Sequence, residues 1–151
     1  MTAAFGLRVR TPLLYQSVRG NKATPKEVDK EGRTAGNALG QSWCLLNSRA
    51  ASEFMNQVRN HPEYKYKIQP CAQIHDAQYY VIDDDIDLLL WVNETLVKCV
   101  QWQEHPDIAH DQVKLGGNLS LFFPDWAHEI ELPNNCSKEQ FINIVKEYSN
   151  G

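Results

Sequence analysis

The sequence predicts an α+β fold, and three observations carry that prediction. Residues 32–60 repeat apolar side chains at helical spacing, and residues 65–82 hold two short β-rich runs on either side of a tight segment. The elements then follow as strand, long helix, hairpin, helix, strand and helix, with no Gly-rich strand-to-helix turn of the kind that opens a parallel nucleotide-binding sheet. A chain of 151 residues has single-domain length and is long enough to bury a core. Its 42% apolar and 23% charged residues exclude disorder, collagen and coiled coil. The longest apolar run, Leu88 to Val92, is far short of a membrane span, so no membrane partner is expected. The N-terminus has no apolar segment before a small-residue cleavage site and does not read as a secretory signal.

Taken in order, residues 5–15 alternate apolar and basic residues before Pro12 and read as a short strand or edge element. Residues 16–31 are polar, contain Gly20, Asn21 and Pro25, and read as a loop. From Gly32 to Asn60, Leu39, Trp43, Leu46, Ala50 and Phe54 recur at gaps of four, three, four and four, which predicts one long helix. His61 and Pro62 end it. Lys65–Ile74 and Gln78–Ile82 read as two strands, which places His75 and Asp76 at the turn of a hairpin. Asp83, Asp84 and Asp85 precede a helix from Ile86 to about Trp102, where acidic residues cap free amides and suit the helix dipole, with metal binding as the alternative reading. Leu119–Phe123 reads as a strand followed by a turn at Pro124-Asp125-Trp126. A last helix starts near Ser137, with Gln140 three residues on, and runs to Tyr148.

Cys44, Cys71, Cys99 and Cys136 are too widely spaced for a Cys-x-x-Cys zinc motif, and buried free thiols in a reducing cytoplasm are expected. Charge is unevenly placed. Residues 1–67 hold eleven Lys and Arg against five acids, a net of +6, while residues 68–151 hold four against fourteen, a net of −10. A basic segment of this kind can meet a polyanion.

Arg33, Asn37 and Gln41 stand at i, i+4 and i+8, roughly 140° around the helix from the apolar row. Three donors in a row can reach the minor-groove acceptors that every base pair offers, without reading sequence. Gly36 and Gly40 lie beside them, each costing roughly 1 kcal/mol in a helix interior, which suits close approach of another backbone or a nucleic acid. The alternative is a solvated face whose glycines serve helix packing. Asp76 at a hairpin tip presents one carboxylate that binds Mg²⁺ weakly alone, because two-metal phosphoryl transfer needs carboxylates from different elements. The alternative here is ordinary turn chemistry.

Together these residues resemble the C-terminal part of a family A DNA polymerase of the bacteriophage type. That family carries Arg-x-x-x-Asn-Ala-x-x-x-Gln on a helix, and this chain reads Arg33-Thr-Ala-Gly-Asn37-Ala38-Leu-Gly-Gln41. A strand then runs into His-Asp-Glu in the family, and into Ile74-His75-Asp76-Ala77 here. The order and separation of the two motifs agree. Phe5 to Pro12 is similar to the family's upstream Gly-Arg-Arg-x-x-x-Pro hairpin, and Gly116 and Trp126 loosely resemble its closing Gly and Trp.

The resemblance reaches to about residue 126 and implies a partial palm domain over 1–151: hairpin and loop at 1–31, DNA-contacting helix at 32–60, catalytic hairpin at 65–82, and helices and a strand at 86–148. It implies that Asp76 is a catalytic metal ligand, one of two palm carboxylates for Mg²⁺. Likewise it implies that His75 supports the primer end and that Arg33, Asn37 and Gln41 contact primer-template DNA. Two departures stand out. Ala77 replaces the Glu that commonly follows the Asp, and no segment resembles the strand with the partner Asp or the helix that grips the incoming dNTP. The chain therefore reads as the smaller piece of a split polymerase, or a fragment of a polymerase, requiring a larger subunit, inactive alone and cytoplasmic. The rival is a non-catalytic DNA-binding or scaffold subunit that keeps the palm shape.

Overall fold

A computed structural model describes residues 2–13 and 24–149 and shows an α+β fold. Helix α1 (Pro25–Ser42) starts inside the stretch expected as loop. Thr24 Oγ1 accepts from the Glu27 amide at 3.4 Å, Glu27 Oε2 accepts from the Thr24 amide at 3.0 Å, and Pro25 occupies the first helical position. This reciprocal box satisfies amides that have no partner inside the helix, and the proline presets the backbone angle. The rest of that expected loop, residues 16–23, lies outside the described residues, as do residues 14 and 15 of the expected strand.

The single long helix divides in two at Trp43, and α2 covers Cys44–Asn60. Ser42 Oγ donates to the Leu39 carbonyl, the oxygen that the Trp43 amide would take in a continuous helix. The Trp43 amide turns instead to the Gly40 carbonyl at 3.2 Å. Beyond the break, Ala50, Phe54 and Val58 are buried at helical spacing. They pack with Leu88, Val92 and Cys99 of α3 (Ile86–Val100) and with Ile68.

β1 (Ile68–Ile74) and β2 (Ala77–Ile82) form the expected hairpin, with Ile74 opposite Ala77 and a register shift between Pro70 and Ala72. β1 starts three residues later than expected. His61 Nδ1 accepts from the Glu63 and Tyr64 amides, and Lys67 donates to the Tyr64 carbonyl, so residues 61–67 form turns first. α3 ends at Val100 rather than Trp102, and the Trp102 ring lies 3.6 Å under the Arg49 guanidinium.

The second face of α3 supports a smaller layer. β3 (Leu119–Phe122) pairs with β4 (Glu129–Leu132), a strand with no counterpart in the sequence reading. Ile130 and Leu132 join Leu89, Cys136 and Phe141 in a second core. Phe141 belongs to α4 (Lys138–Ser149), which opens with the expected Ser137–Gln140 capping pair.

Two further expectations need correction. The strand expected from residue 5 is a 3-10 turn over Ala4–Gly6, where Phe5 and Gly6 take φ of 59° and 73° and Thr2 bridges back to Arg8. The Phe5 amide donates to Asp107 Oδ2 at 2.8 Å, which draws this turn onto the chain after α3. Of the cysteines, Cys99 and Cys136 are buried, but Cys71 is exposed at the irregularity of β1 and Cys44 is half-buried.

Phe54 has no accessible surface, so Phe54→Ala should destabilise the chain by about 3–5 kcal/mol in urea unfolding. Asp85 caps α3 by accepting from the Asp87 and Leu88 amides, at 2.9 and 3.2 Å. Those bonds, the Leu88 one foremost, and the nearby Lys67 ammonium hold its carboxyl below its ordinary range. A depressed carboxyl stabilises the fold above its unfolded value and loses that contribution as pH falls through the folded one. Asp85→Asn keeps a capping oxygen without the charge. Wild type should therefore melt higher than Asp85→Asn at neutral pH, and the gap should close on acidification below about 4.

Candidate nucleic-acid interface and carboxylate tip

α1 buries only Ala35 and presents Arg33, Asn37 and Gln41 on its exposed side. Arg33 pairs with Asp29 at 2.7 Å, one turn earlier, with both side chains mostly in solvent. Such an exposed pair contributes about 0.3–0.5 kcal/mol, so it opens readily to another anion. Among the described residues the glycines serve no packing: a Cβ built on Gly32, Gly36 or Gly40 meets nothing within 4 Å. A bare backbone strip thus runs beside the three polar side chains.

His75 and Asp76 occupy the hairpin turn, as the sequence predicts, and both are exposed. His75 takes φ of 53°, a left-handed conformation that a non-glycine residue adopts only where its surroundings hold it. Its carbonyl accepts from Asn47 Nδ2 at 3.4 Å, on the first turn of α2. Gln73 Nε2 donates to Ser48 Oγ at 2.9 Å, and Gln78 Nε2 to the Asn47 carbonyl at 3.0 Å. The tip is therefore seated just past the Trp43 break, where the α1 row ends. Gln41 is the near end of that row, and Arg33 stands about 12 Å further along the axis.

The tip supplies one carboxylate. Among the described residues, no three His, Cys, Asp or Glu side chains gather as a metal-binding group. Asp76 therefore stands at the tip as a single exposed carboxylate. The acidic triplet has a structural place: Asp85 caps α3, and the Asp83 amide donates to the Lys67 carbonyl at 3.0 Å. The sequence reading overlooked Asn47, Ser48, Gln73 and Gln78, because isolated amides and hydroxyls at these positions follow no periodicity.

Large apolar side chains flank these elements. Trp43 and Leu45 at the helix break are about half exposed, as are Ile74 and Val81 on the hairpin. The register puts Tyr79 and Val81 on the hairpin face opposite Tyr80, which turns inward onto Phe54. Trp126 covers part of the outer face, with its ring 5.0 Å from that of Tyr79, and is itself 59% exposed.

Comparison with protein-family models, with curated proteins and with solved structures finds no match for this chain. The open space at Gly36 and Gly40 makes a direct prediction: each Gly→Ala substitution should stabilise the fold by about 1 kcal/mol, measured by thermal or urea unfolding. Destabilisation instead would mean that the strip is packed.

Proposed function

We propose that this chain is the smaller part of a DNA-directed DNA polymerase of the family A type, completing the palm of a larger subunit. One observation carries the reading: an exposed Arg-Asn-Gln row beside an uncovered glycine strip ends at the helix junction where the exposed His75-Asp76 tip is seated. A duplex laid along α1 would meet donors first and the carboxylate at the end of the row.

Arg33, Asn37 and Gln41 would donate to purine N3 and pyrimidine O2 in the minor groove, acceptors that do not depend on sequence. The glycines would let the sugar-phosphate backbone approach the helix closely. His75 would hold the primer end, and Asp76 would share Mg²⁺ with an aspartate of the larger subunit. When bound, such a metal pair lowers the pKa of a primer hydroxyl and neutralises charge on the dNTP phosphates. Asp76 is a single carboxylate, so the chain alone should not polymerise. The half-exposed Trp43, Leu45, Ile74 and Val81 support a subunit that is covered in its working state.

Among the described residues, no helix is long and apolar enough to cross a membrane, and the reading places the chain in the cytoplasm, the host's if a phage encodes it. The rival, a DNA-binding scaffold without catalysis, is favoured by Ala77, which stands opposite Ile74 where the family commonly has a second acid.

Two measurements separate these. In the complex with the larger subunit, Asp76→Ala should lower the primer-extension rate about a thousandfold or more while primer-template affinity stays near wild type. An unchanged rate would support the scaffold. Gly36→Ala with Gly40→Ala should weaken duplex binding at low salt despite stabilising the fold, and unchanged binding would remove DNA from the α1 face.

A further inference from the structure

We propose that Asn47 is a positioning residue that locks the His75-Asp76 tip onto α2 and so fixes the carboxylate relative to the α1 row. The hairpin has only two strands, and β1 is exposed from Gln69 onward, so pairing alone does not hold the turn in place. His75 also carries the left-handed backbone that a two-residue turn calls for at its first central position, at a strain cost for a residue other than glycine.

Asn47 touches both sides of the turn. Its Nδ2 donates to the His75 carbonyl at 3.4 Å, while its own carbonyl and its Oδ1 accept from Gln78 Nε2. Gln78 is itself oriented, because its Oε1 accepts from the Tyr80 hydroxyl at 2.6 Å. The Tyr80 ring lies 5.2 Å from the ring of Phe54, which has no accessible surface. Burial pushes the Tyr80 hydroxyl up to about 12, with the Cys99 thiol adding to the shift, so it remains a donor through the neutral and mildly alkaline range. A continuous path thus runs from Phe54 through Tyr80, Gln78 and Asn47 to His75. Ser48 and Gln73 add a parallel tie at 2.9 Å.

The positional part of this inference stands on geometry, and only its kinetic consequence rests on the proposed polymerase function. Amide hydrogen exchange of the full chain tests the first part. Asn47→Ala should raise exchange at Ile74 and Ala77, the pair that closes the hairpin, about tenfold or more and leave Leu88 and Val92 unchanged. Asn47→Asp keeps the oxygen that Gln78 needs, loses the donor to His75, and suits the α2 N-terminus, so it should fold and give an intermediate rise. Exchange at the tip within about twofold of wild type in both variants would overturn the inference.

Primer extension in the complex tests the consequence. Asn47→Ala should lower kcat about tenfold or more with little change in KM for dNTP, and Asn47→Asp should recover part of the loss. Raised KM with unchanged kcat would make Asn47 a binding residue and overturn positioning. If the wild-type complex does not extend primers, the polymerase reading fails, and the exchange result still decides the role of Asn47.

Discussion

The Phe54 ring lies 5.2 Å from that of Tyr80 and 5.9 Å from that of Trp91, so one fully buried side chain joins α2, the hairpin and α3. Ala50 and Val58 extend the contact along α2, and Leu88, Val92 and Cys99 meet it from α3. Around this seam the hairpin has a floor on one face only. Ile68, Tyr80 and Ile82 turn inward, while β1 beyond Ile68 remains in solvent. The tip is consequently the free end of a rooted lever, and its orientation depends on how well the root and the polar ties are held.

The break at Trp43 turns that rooted unit into a composite surface. The Ser42 hydroxyl competes for the Leu39 carbonyl and ends α1, and the tip is tied to Asn47 on the first turn of α2. α1 then has little packing of its own, with Ala35 its one buried residue. The described residues leave its polar row and bare glycines uncovered. Weak helix packing and an open surface are here the same property.

The sequence carried the features that follow local rules. Ala50 and Phe54 are readable from helical spacing, the hairpin from two β-rich runs about the tight segment His75-Asp76-Ala77, which the structure shortens to two residues by starting β2 at Ala77, and the α4 start from its Ser137–Gln140 pair. The Thr24–Glu27 box obeys the same rule as Ser137–Gln140, but the surrounding polar residues masked it and the start of α1 was misplaced. β4 escaped because Glu-Ile-Glu-Leu is four residues long, and its burial depends on a distant partner, β3. The N-terminal alternation misled because positive φ at Phe5 and Gly6 folds it into a turn. Trp43 fits the apolar row yet is exposed, since the helix divides there. For the candidate site, residue types and spacing marked Arg33, Asn37, Gln41, His75 and Asp76. The ties from Asn47 and Gln78 that seat the tip depend on tertiary placement alone.

The proposed function requires that this chain supply one part of an active site whose remainder lies on another polypeptide. Its most direct test is Mg²⁺-dependent primer extension by three samples: the purified chain, the larger subunit recovered with it from its native cells, and the two recombined. The account predicts extension only in the recombined sample. Extension by the chain alone, or equal extension by the larger subunit without it, would contradict the account.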